Sequence, residues 1–254
     1  MIRTFEHIQN GKNIYFASDF HLGTPDYDSS LKREKKIVKW LSEITPQAAA
    51  IFLVGDIFDF WFEYKHTIPK GYARLQGKLA ELADSGIPIT IFTGNHDMWM
   101  FDYFSKEFGI SVKHQSESYL LGNALFFIGH GDGLGAGDHA YKFYKKIFSN
   151  RFCQWLFGWL HPNIGMSIAK YWSKKSRLSS EARNIDQEAE WLIKYCRKKE
   201  DQDHHDYYIF GHRHLAVEVN LNDNSRYINL GEWIQECTYA VFNGDHVELK
   251  KYEE

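Results

Sequence analysis

Cysteine is scarce in this 254-residue chain: Cys153, Cys196 and Cys237 stand far apart, with no CxxC pair and no even count. That argues against a disulfide framework and a thiolate zinc site, and it fits a reducing cytosol. An excess of one charge is also missing, since 30 Lys and Arg face 33 Asp and Glu for a formal charge of -3. A general nucleic-acid binder needs a basic surplus to neutralise phosphates, so no nucleic-acid partner is expected and any basic patch must be local. The N-terminal stretch "MIRTFEHIQNGKN" holds neither a long apolar run nor a cleavage site, so neither secretion nor a membrane-spanning anchor is indicated. With only five prolines, no repeat, no low-complexity tract and no Pro/Gly/Ser-rich linker, the reading is one domain over 1–254 carrying an insertion.

Short apolar runs of strand type are abundant: "NIYFAS", "AAIFLVG", "IPITIFTG", "ALFFIG", "YYIFG" and "RYINLG", then "TYAVFNGDHVELKKY" at the end. Between the first three lie helical patterns, one with Ile37, Val38, Leu41 and Ile44 on a face, the other with Tyr72, Leu75, Leu79, Leu82 and Ala83 before a cap at Gly86. Alternating strands and helices predict an α/β layered fold, and continuous apolarity predicts strands buried on both faces.

Five of these runs end directly in polar side chains, as "SDFHLG", "GDIFDFW", "GNHD", "GHGDGLG" and "GHRH". If the strands share one carboxyl edge, where ligands of open α/β sheets bind, then Asp19, His21, Asp56, Asn95, His130, His212 and His214 converge. Oxygen and imidazole donors without thiolate suit Mn, Fe or Zn. Side chains two apart on an extended strand share a side, so Asp19 with His21 and His212 with His214 can each grip one centre. Seven ligands are too many for one tetrahedral ion but suit two ions about 3.5–4 Å apart with a shared carboxylate, for which Asp56 is the choice. The glycines at 55, 94, 129 and 211 allow sharp turns and close backbone approach.

The ordered blocks Asp19-x-His21, Gly55-Asp56, Gly94-Asn95-His96-Asp97, Gly129-His130 and Gly211-His212-x-His214 resemble the calcineurin-type metallophosphoesterases over residues 13 to 231. The resemblance implies a four-layer fold, two mixed sheets flanked by helices. It also implies one metal on Asp19, His21, Asp56 and His214 and another on Asp56, Asn95, His130 and His212. His96 would then stabilise phosphoryl charge or protonate the leaving oxygen, and Asp97 would orient His96. The implied reaction is hydrolysis, with water activated between the two metals attacking phosphorus in line.

Aromatic residues make up 17% of the chain, and a dense share lies at 141–172, "YKFYKKIFSNRFCQWLFGWLHPNIGMSIAKYW", interleaved with Lys142, Lys145, Lys146, Arg151 and Lys170. An amphipathic hairpin with a purely aromatic core is the plain reading. Because the segment falls between two ligand blocks, a groove for an acyl chain beside basic groups that meet phosphate or an anionic membrane is preferred. "GDIFDFWFEY", "HGDGLGAGDHAYKFYKKIF", "SKKSR" and "INLGEW" add a closer resemblance to the UDP-2,3-diacylglucosamine diphosphatases of lipid A biosynthesis. It implies a helical cap over 139–185, manganese as the usual metal, and cleavage of the lipid-linked UDP-sugar to UMP and 2,3-diacylglucosamine 1-phosphate. Substrate contacts at Asn95, His96, Asp138, Ser176 and Arg177 are implied as well, with a cytoplasmic enzyme peripheral to the inner membrane. Well-known members read GNRD where this chain reads "GNHD". Arg is a fixed cation and His a proton donor of weaker charge, so the departure bears on substrate more than on catalysis.

Two other functions stay open. A phosphodiesterase or pyrophosphatase for another nucleotide would need no acyl site, and a non-catalytic scaffold would be expected to have lost ligands, none of which is missing. Asp59 reads equally as a support to the metal site or a turn residue. His204 and His205 in "DHHDYY" read as a solvated loop, and His7, His66, His114, His139, His161 and His246 receive no role.

Overall fold

The computed structural model describes residues 3–5, 11–135, 139–181 and 185–253, with side chains for all of these except 4, 5, 139, 140, 170, 174–181 and 185–190. Its strands are β1 (Arg3–Phe5), β2 (Asn13–Ala17), β3 (Ala48–Val54), β4 (Ile89–Phe92), β5 (Ser111–Lys113), β6 (Glu117–Leu121), β7 (Ala124–Ile128), β8 (Tyr207–Phe210), β9 (Ala216–Asn220), β10 (Arg226–Leu230), β11 (Thr238–Phe242) and β12 (Val247–Lys251). The helices are α1 (Tyr27–Ile44), α2 (Ala73–Asp84), α3 (Tyr103–Phe108), α4 (His139–Phe148), α5 (Arg151–Gly158), α6 (Pro162–Glu181) and α7 (Ile185–Glu200).

The strands form two six-stranded sheets, one ordered β1-β6-β7-β8-β10-β9 and the other β12-β11-β2-β3-β4-β5. Both are mixed: β2 to β5 run parallel while β11 and β12 pair antiparallel, and β8 is parallel to both β7 and β10 while β9 is antiparallel to β10. The period of two along each strand then builds the layers. Ile14, Phe16, Ala50, Phe52 and Val54 point between the sheets to meet Phe126, Ile128, Ile209 and Ile228. Their neighbours Tyr15, Ala17, Ile51 and Leu53 point outward onto Ile37, Leu41, Leu75, Leu79 and Leu82 of α1 and α2. On the opposite outer face Phe127, Tyr208, Phe210 and Tyr227 pack against Leu192 and Cys196 of α7. The result is the expected arrangement of two mixed sheets flanked by helices.

Local chemistry sets the helix ends. Asp26 caps α1 by accepting from the Ser29 N–H at 2.9 Å, and Pro46 follows where the helix stops. The residue that opens α2, Tyr72, makes no side-chain cap; instead Glu34 of α1 accepts from Arg74 N at 2.8 Å and Leu75 N at 3.1 Å. A buried carboxylate therefore serves the free amides and positive end of a neighbouring helix.

The apolar-run reading locates β2, β3, β4, β7, β8, β10, β11 and β12, but not β1, β5, β6 and β9. In β6 ("ESYLL") and β9 ("AVEVN") polar and apolar residues mix, because β9 is an edge strand with every second side chain exposed. The solvated-loop reading of "DHHDYY" fails for His205, which is fully buried. Its Nδ1 donates to the Asp203 carbonyl at 2.9 Å, leaving Nε2 to accept from Ser118 Oγ at 2.8 Å on β6. Only His204 stays at the surface.

Among the described residues, helices α4 to α7 connect β7 to β8. All the exposed large apolar side chains among the described residues lie on α4 to α6 and their connections, except Tyr27, Phe101 and Leu215. Trp159 is 75% exposed, Tyr171 66% and Phe152 63%, which rules out a purely core role for this aromatic segment. The inner side of these helices is seated by Phe157, Met166 and Ala169 on Phe60, Phe62 and Trp99. No described helix is long and apolar enough to cross a membrane.

Candidate metal centre

Five strand ends deliver the polar side chains, though not from one sheet edge as expected. β2, β3 and β4 belong to one sheet and β7 and β8 to the other, so the cluster forms where the carboxyl ends of two packed sheets meet. The alternation argument for Asp19 with His21 also needs correction, since β2 stops at Ala17 and both residues lie beyond it. Left-handed backbone turns the side chains inward instead: φ is +55° at Asp19, +44° at His21, +52° at Asp56, +69° at His212 and +52° at His214. Each such conformation costs about 1–3 kcal/mol and persists only where its surroundings over-determine it. Here the turns are stitched together by Asp19 N to Gly55 O at 3.0 Å, His21 N to Asp56 O at 2.9 Å and Gly211 N to His130 O at 3.1 Å. Gly55, at φ +87°, lies so close to His130 that an added Cβ would stand 2.4 Å from its Nδ1.

All seven residues singled out as ligands are brought together. Asp19, His21 and His214 form one triplet and Asp56, His130 and His212 a second, the donor atoms of each lying within 4.8 Å of one another. The Nε2 atoms of His21 and His214 are 2.9 Å apart, and Asp19 Oδ1 lies 3.6 Å from the first and 3.2 Å from the second. Asn95 Oδ1 joins the second triplet at 3.3 Å from His130 Nε2. Asp56 Oδ2 stands between the two, 3.7 Å from His21 Nε2 and 3.3 Å from His130 Nε2. His130 Nδ1 meets the Val54 carbonyl at 2.9 Å, and because a carbonyl only accepts, that ring presents Nε2 to the cluster.

Burial makes this an electrostatically expensive arrangement without cations. It pushes His21 and His212 down to about 4, whereas His130, despite the same burial, is held up at about 10 by the Asp56 carboxylate. Burial also works to raise Asp19 and Asp56, but their histidine neighbours outweigh it and hold both carboxyls well below the ordinary range. Among the described residues, Asp19 Oδ1 and His21 Nδ1 are buried without a hydrogen-bond partner. An orphaned carboxylate oxygen beside two imidazole Nε2 atoms fits a divalent cation, and the donor set of oxygen and imidazole nitrogen fits Mn, Fe or Zn.

The neighbouring residues divide differently from the sequence expectation. The backbone N–H of His96 donates to Asp56 Oδ1 at 2.9 Å, and its ring meets His21 edge-on with centroids 4.9 Å apart. Asp97 is oriented toward main chain, not toward the His96 ring: its carboxylate accepts from the N–H groups of Gly94 (2.7 Å), Ile57 (2.8 Å), Asp56 (3.3 Å) and Phe58 (3.4 Å). Burial and the Asp56 charge push it up to about 7. Four amides converging on one buried side chain explain its place, so it shapes the Asp56 loop. The His96 ring is held instead by the Asp59 carbonyl, 3.0 Å from Nδ1, and Asp59 Oδ1 lies 3.9 Å from both His21 Nδ1 and His96 Nδ1. Thus Asp59 belongs to the site.

Three further residues escaped the sequence reading. Arg33 of α1 holds the His21 carbonyl at 2.7 Å; buried Asp132, two residues after His130, binds Tyr141 and Lys145 of α4, each at 2.5 Å; and Ser173 of α6 lies 3.0 Å from His96 Nδ1. Asp132 stands in "GHGDG" and Ser173 opens "SKKSR", whereas Arg33 carried no signal. Asp138 and the side chains of Ser176 and Arg177 lie outside the described residues.

A family model described as calcineurin-like phosphoesterase matches residues 12–216, a span that takes in all five ligand-bearing turns. The chain belongs to the calcineurin-like phosphoesterase family. It is a metal-dependent hydrolase by that membership, and its relatives agree. This phosphoesterase is 38% identical over 258 residues to the UDP-2,3-diacylglucosamine hydrolase of Porphyromonas gingivalis, covering 95% of this chain and 98% of that one. It is 28% identical over 243 residues to the UDP-2,3-diacylglucosamine hydrolase of Proteus mirabilis, covering 93% of this chain and 98% of that one. Among solved structures, Vacuolar Protein Sorting 29 from Cryptosporidium parvum is similar at a TM-score of 0.46 and 9% identity, covering 97% of this chain and 100% of that one.

Proposed function

We propose that this phosphoesterase hydrolyses the pyrophosphate of UDP-2,3-diacylglucosamine to UMP and 2,3-diacylglucosamine 1-phosphate, using two divalent ions of which manganese is the first choice and iron or zinc are acceptable. The observation that carries the reading is the joining of a two-lobed Asp/His cluster to a wall of exposed aromatic side chains through His96 and Trp99. The names of the relatives point to the same substrate.

Asp19, His21 and His214 would hold one ion, Asn95, His130 and His212 the other, and Asp56 both. When bound, the ions supply Lewis-acid charge that activates water and neutralises phosphoryl oxygens. The chain's own residues do the rest. Left-handed turns aim the ligands before substrate arrives, and Asp97 fixes the Asp56 loop through four amides, so little reorganisation remains for the reaction itself. His96, held at Nδ1, offers Nε2 to the phosphoryl group or leaving oxygen, and Asn95 serves substrate as well as metal. Asp138, Ser176 and Arg177 complete the proposed substrate contacts. The cap, read as 139–185, covers the acyl chains, and exposed Trp155, Trp159, Lys146 and Arg151 rest peripherally on an anionic inner-membrane surface from the cytoplasm.

The test is release of UMP from UDP-2,3-diacylglucosamine and from UDP-N-acetylglucosamine, each with manganese and with chelator. Metal-dependent cleavage of the acylated substrate alone is expected. Equal cleavage of both would assign the protein to soluble nucleotide-sugars and remove the acyl role from the aromatic helices.

A further inference from the structure

The His96 ring is braced from outside its own loop. Nδ1 lies 3.0 Å from the carbonyl oxygen of Asp59, on the turn after β3, and 3.0 Å from Ser173 Oγ, on α6. Since the carbonyl can only accept, Nδ1 carries a proton, with the hydroxyl oxygen as a second acceptor of the same N–H, and the ring presents Nε2 to the site. Ser173 is 6% exposed although the two residues before it, Tyr171 and Trp172, are exposed. Helix α6 therefore turns the Ser173 hydroxyl toward the centre while Tyr171 and Trp172 are exposed.

The placement has further support. Trp99, three residues after His96, donates through Nε1 to the Phe148 carbonyl at the end of α4, at 2.8 Å. Phe60 and Phe62, beside Asp59, pack with Trp99 on Phe157, Met166 and Ala169. The two loops that supply His96 and its carbonyl partner are thus the seat on which α4 to α6 rest. A ring tethered only to Asp59 could swing about that bond; a second tether on the helical layer fixes its plane.

We propose that Ser173 is a positioning residue through which the helical layer holds the His96 ring in one orientation. The proposal rests on the reading that His96 acts on the transferring phosphoryl group. Ser173→Ala should lower kcat on UDP-2,3-diacylglucosamine by about tenfold with KM nearly unchanged, the size expected for one orienting hydrogen bond. Ser173→Thr, which keeps the hydroxyl, should recover most of the rate. In a His96→Ala background, Ser173→Ala should have no further effect, because paired residues lose their coupling once either is gone. The His96 ring resonances in metal-free protein provide a readout that needs no turnover: sharp lines from one ring orientation in wild type and Ser173→Thr, exchange-broadened lines in Ser173→Ala.

The outcomes separate the two layers of the argument. A His96→Ala enzyme with undiminished kcat would remove the role of His96 and the proposal with it. A crippled His96→Ala beside a Ser173→Ala with unchanged kcat and unchanged ring resonances would overturn the positioning role alone. Losses that simply add in the double variant would also overturn it, marking Ser173 as a packing residue.

Discussion

Gly94→Ala is a one-methyl perturbation whose consequence follows from distances. A Cβ at Gly94 would stand 2.2 Å from Asp56 Oδ1, 2.8 Å from its Cγ and 2.7 Å from its backbone nitrogen. For ordinary contact the first distance has to grow to at least 3.4 Å, so the carboxylate must retreat by about 1.2 Å. It has nowhere suitable to go: Oδ1 already accepts from His96 N at 2.9 Å, and Oδ2 faces His21 and His130. Metal sites tolerate displacements of roughly 0.2 Å, and misplacement by about 1 Å costs around a hundredfold in rate. We expect Gly94→Ala to lose at least tenfold in manganese affinity and about a hundredfold in turnover, at a stability cost of about 1–3 kcal/mol for overpacking. Gly77→Ala is the matched control, because nothing lies within 4 Å of its Cβ on the exposed side of α2. It should gain about 0.5–1 kcal/mol and leave activity unchanged. Calorimetric manganese titration, urea unfolding and initial rates on both variants decide the matter. A Gly94→Ala protein that binds two ions with wild-type affinity and turns over normally would refute the bridging place of Asp56.

Other perturbations reach separate parts of the molecule. Asp97→Ala strips the acceptor from four amides and should cost about 3 kcal/mol or more in urea unfolding, along with metal affinity; a loss under about 1 kcal/mol would show that the loop holds itself. Burial lowers the pKa of His205, so the neutral ring is the folded form. Its contribution is present above the unfolded value of about 6.5 and fades as pH falls toward the folded value. Stability should therefore drop between pH 8 and pH 5 more steeply in wild type than in His205→Gln, and equal slopes would count against a buried neutral His205. Trp155→Ala with Trp159→Ala, at 56% and 75% exposure, should leave the melting temperature within a degree or two, yet raise KM for the diacylated substrate about tenfold. With substrate presented in anionic vesicles, an unchanged KM would detach these rings from the membrane surface.

The fold was legible wherever one local rule dominated. Buried parallel strands announce themselves as continuous apolar runs, so β2, β3 and β4 could be read directly, whereas edge strand β9 alternates and was passed over. Residues of the cluster were legible because each follows a strand. Their geometry was not, because left-handed turns rather than strand alternation aim Asp19 and His21. Asp97 departs from expectation for a similar reason: adjacency to His96 suggests a partner, but its hydrogen bonds run to amides brought close by the fold. Ser173 opens the quoted "SKKSR" block, yet its meeting with His96, 77 residues away in sequence, comes only through packing.

The most direct measurement is anomalous diffraction from crystals grown with manganese, counting and placing the metal peaks. The account predicts two peaks per chain about 3.5–4 Å apart, with Asp56 touching both. Asp19, His21 and His214 should lie on one and Asn95, His130 and His212 on the other. A single peak, or two peaks with Asp56 on only one of them, would contradict it.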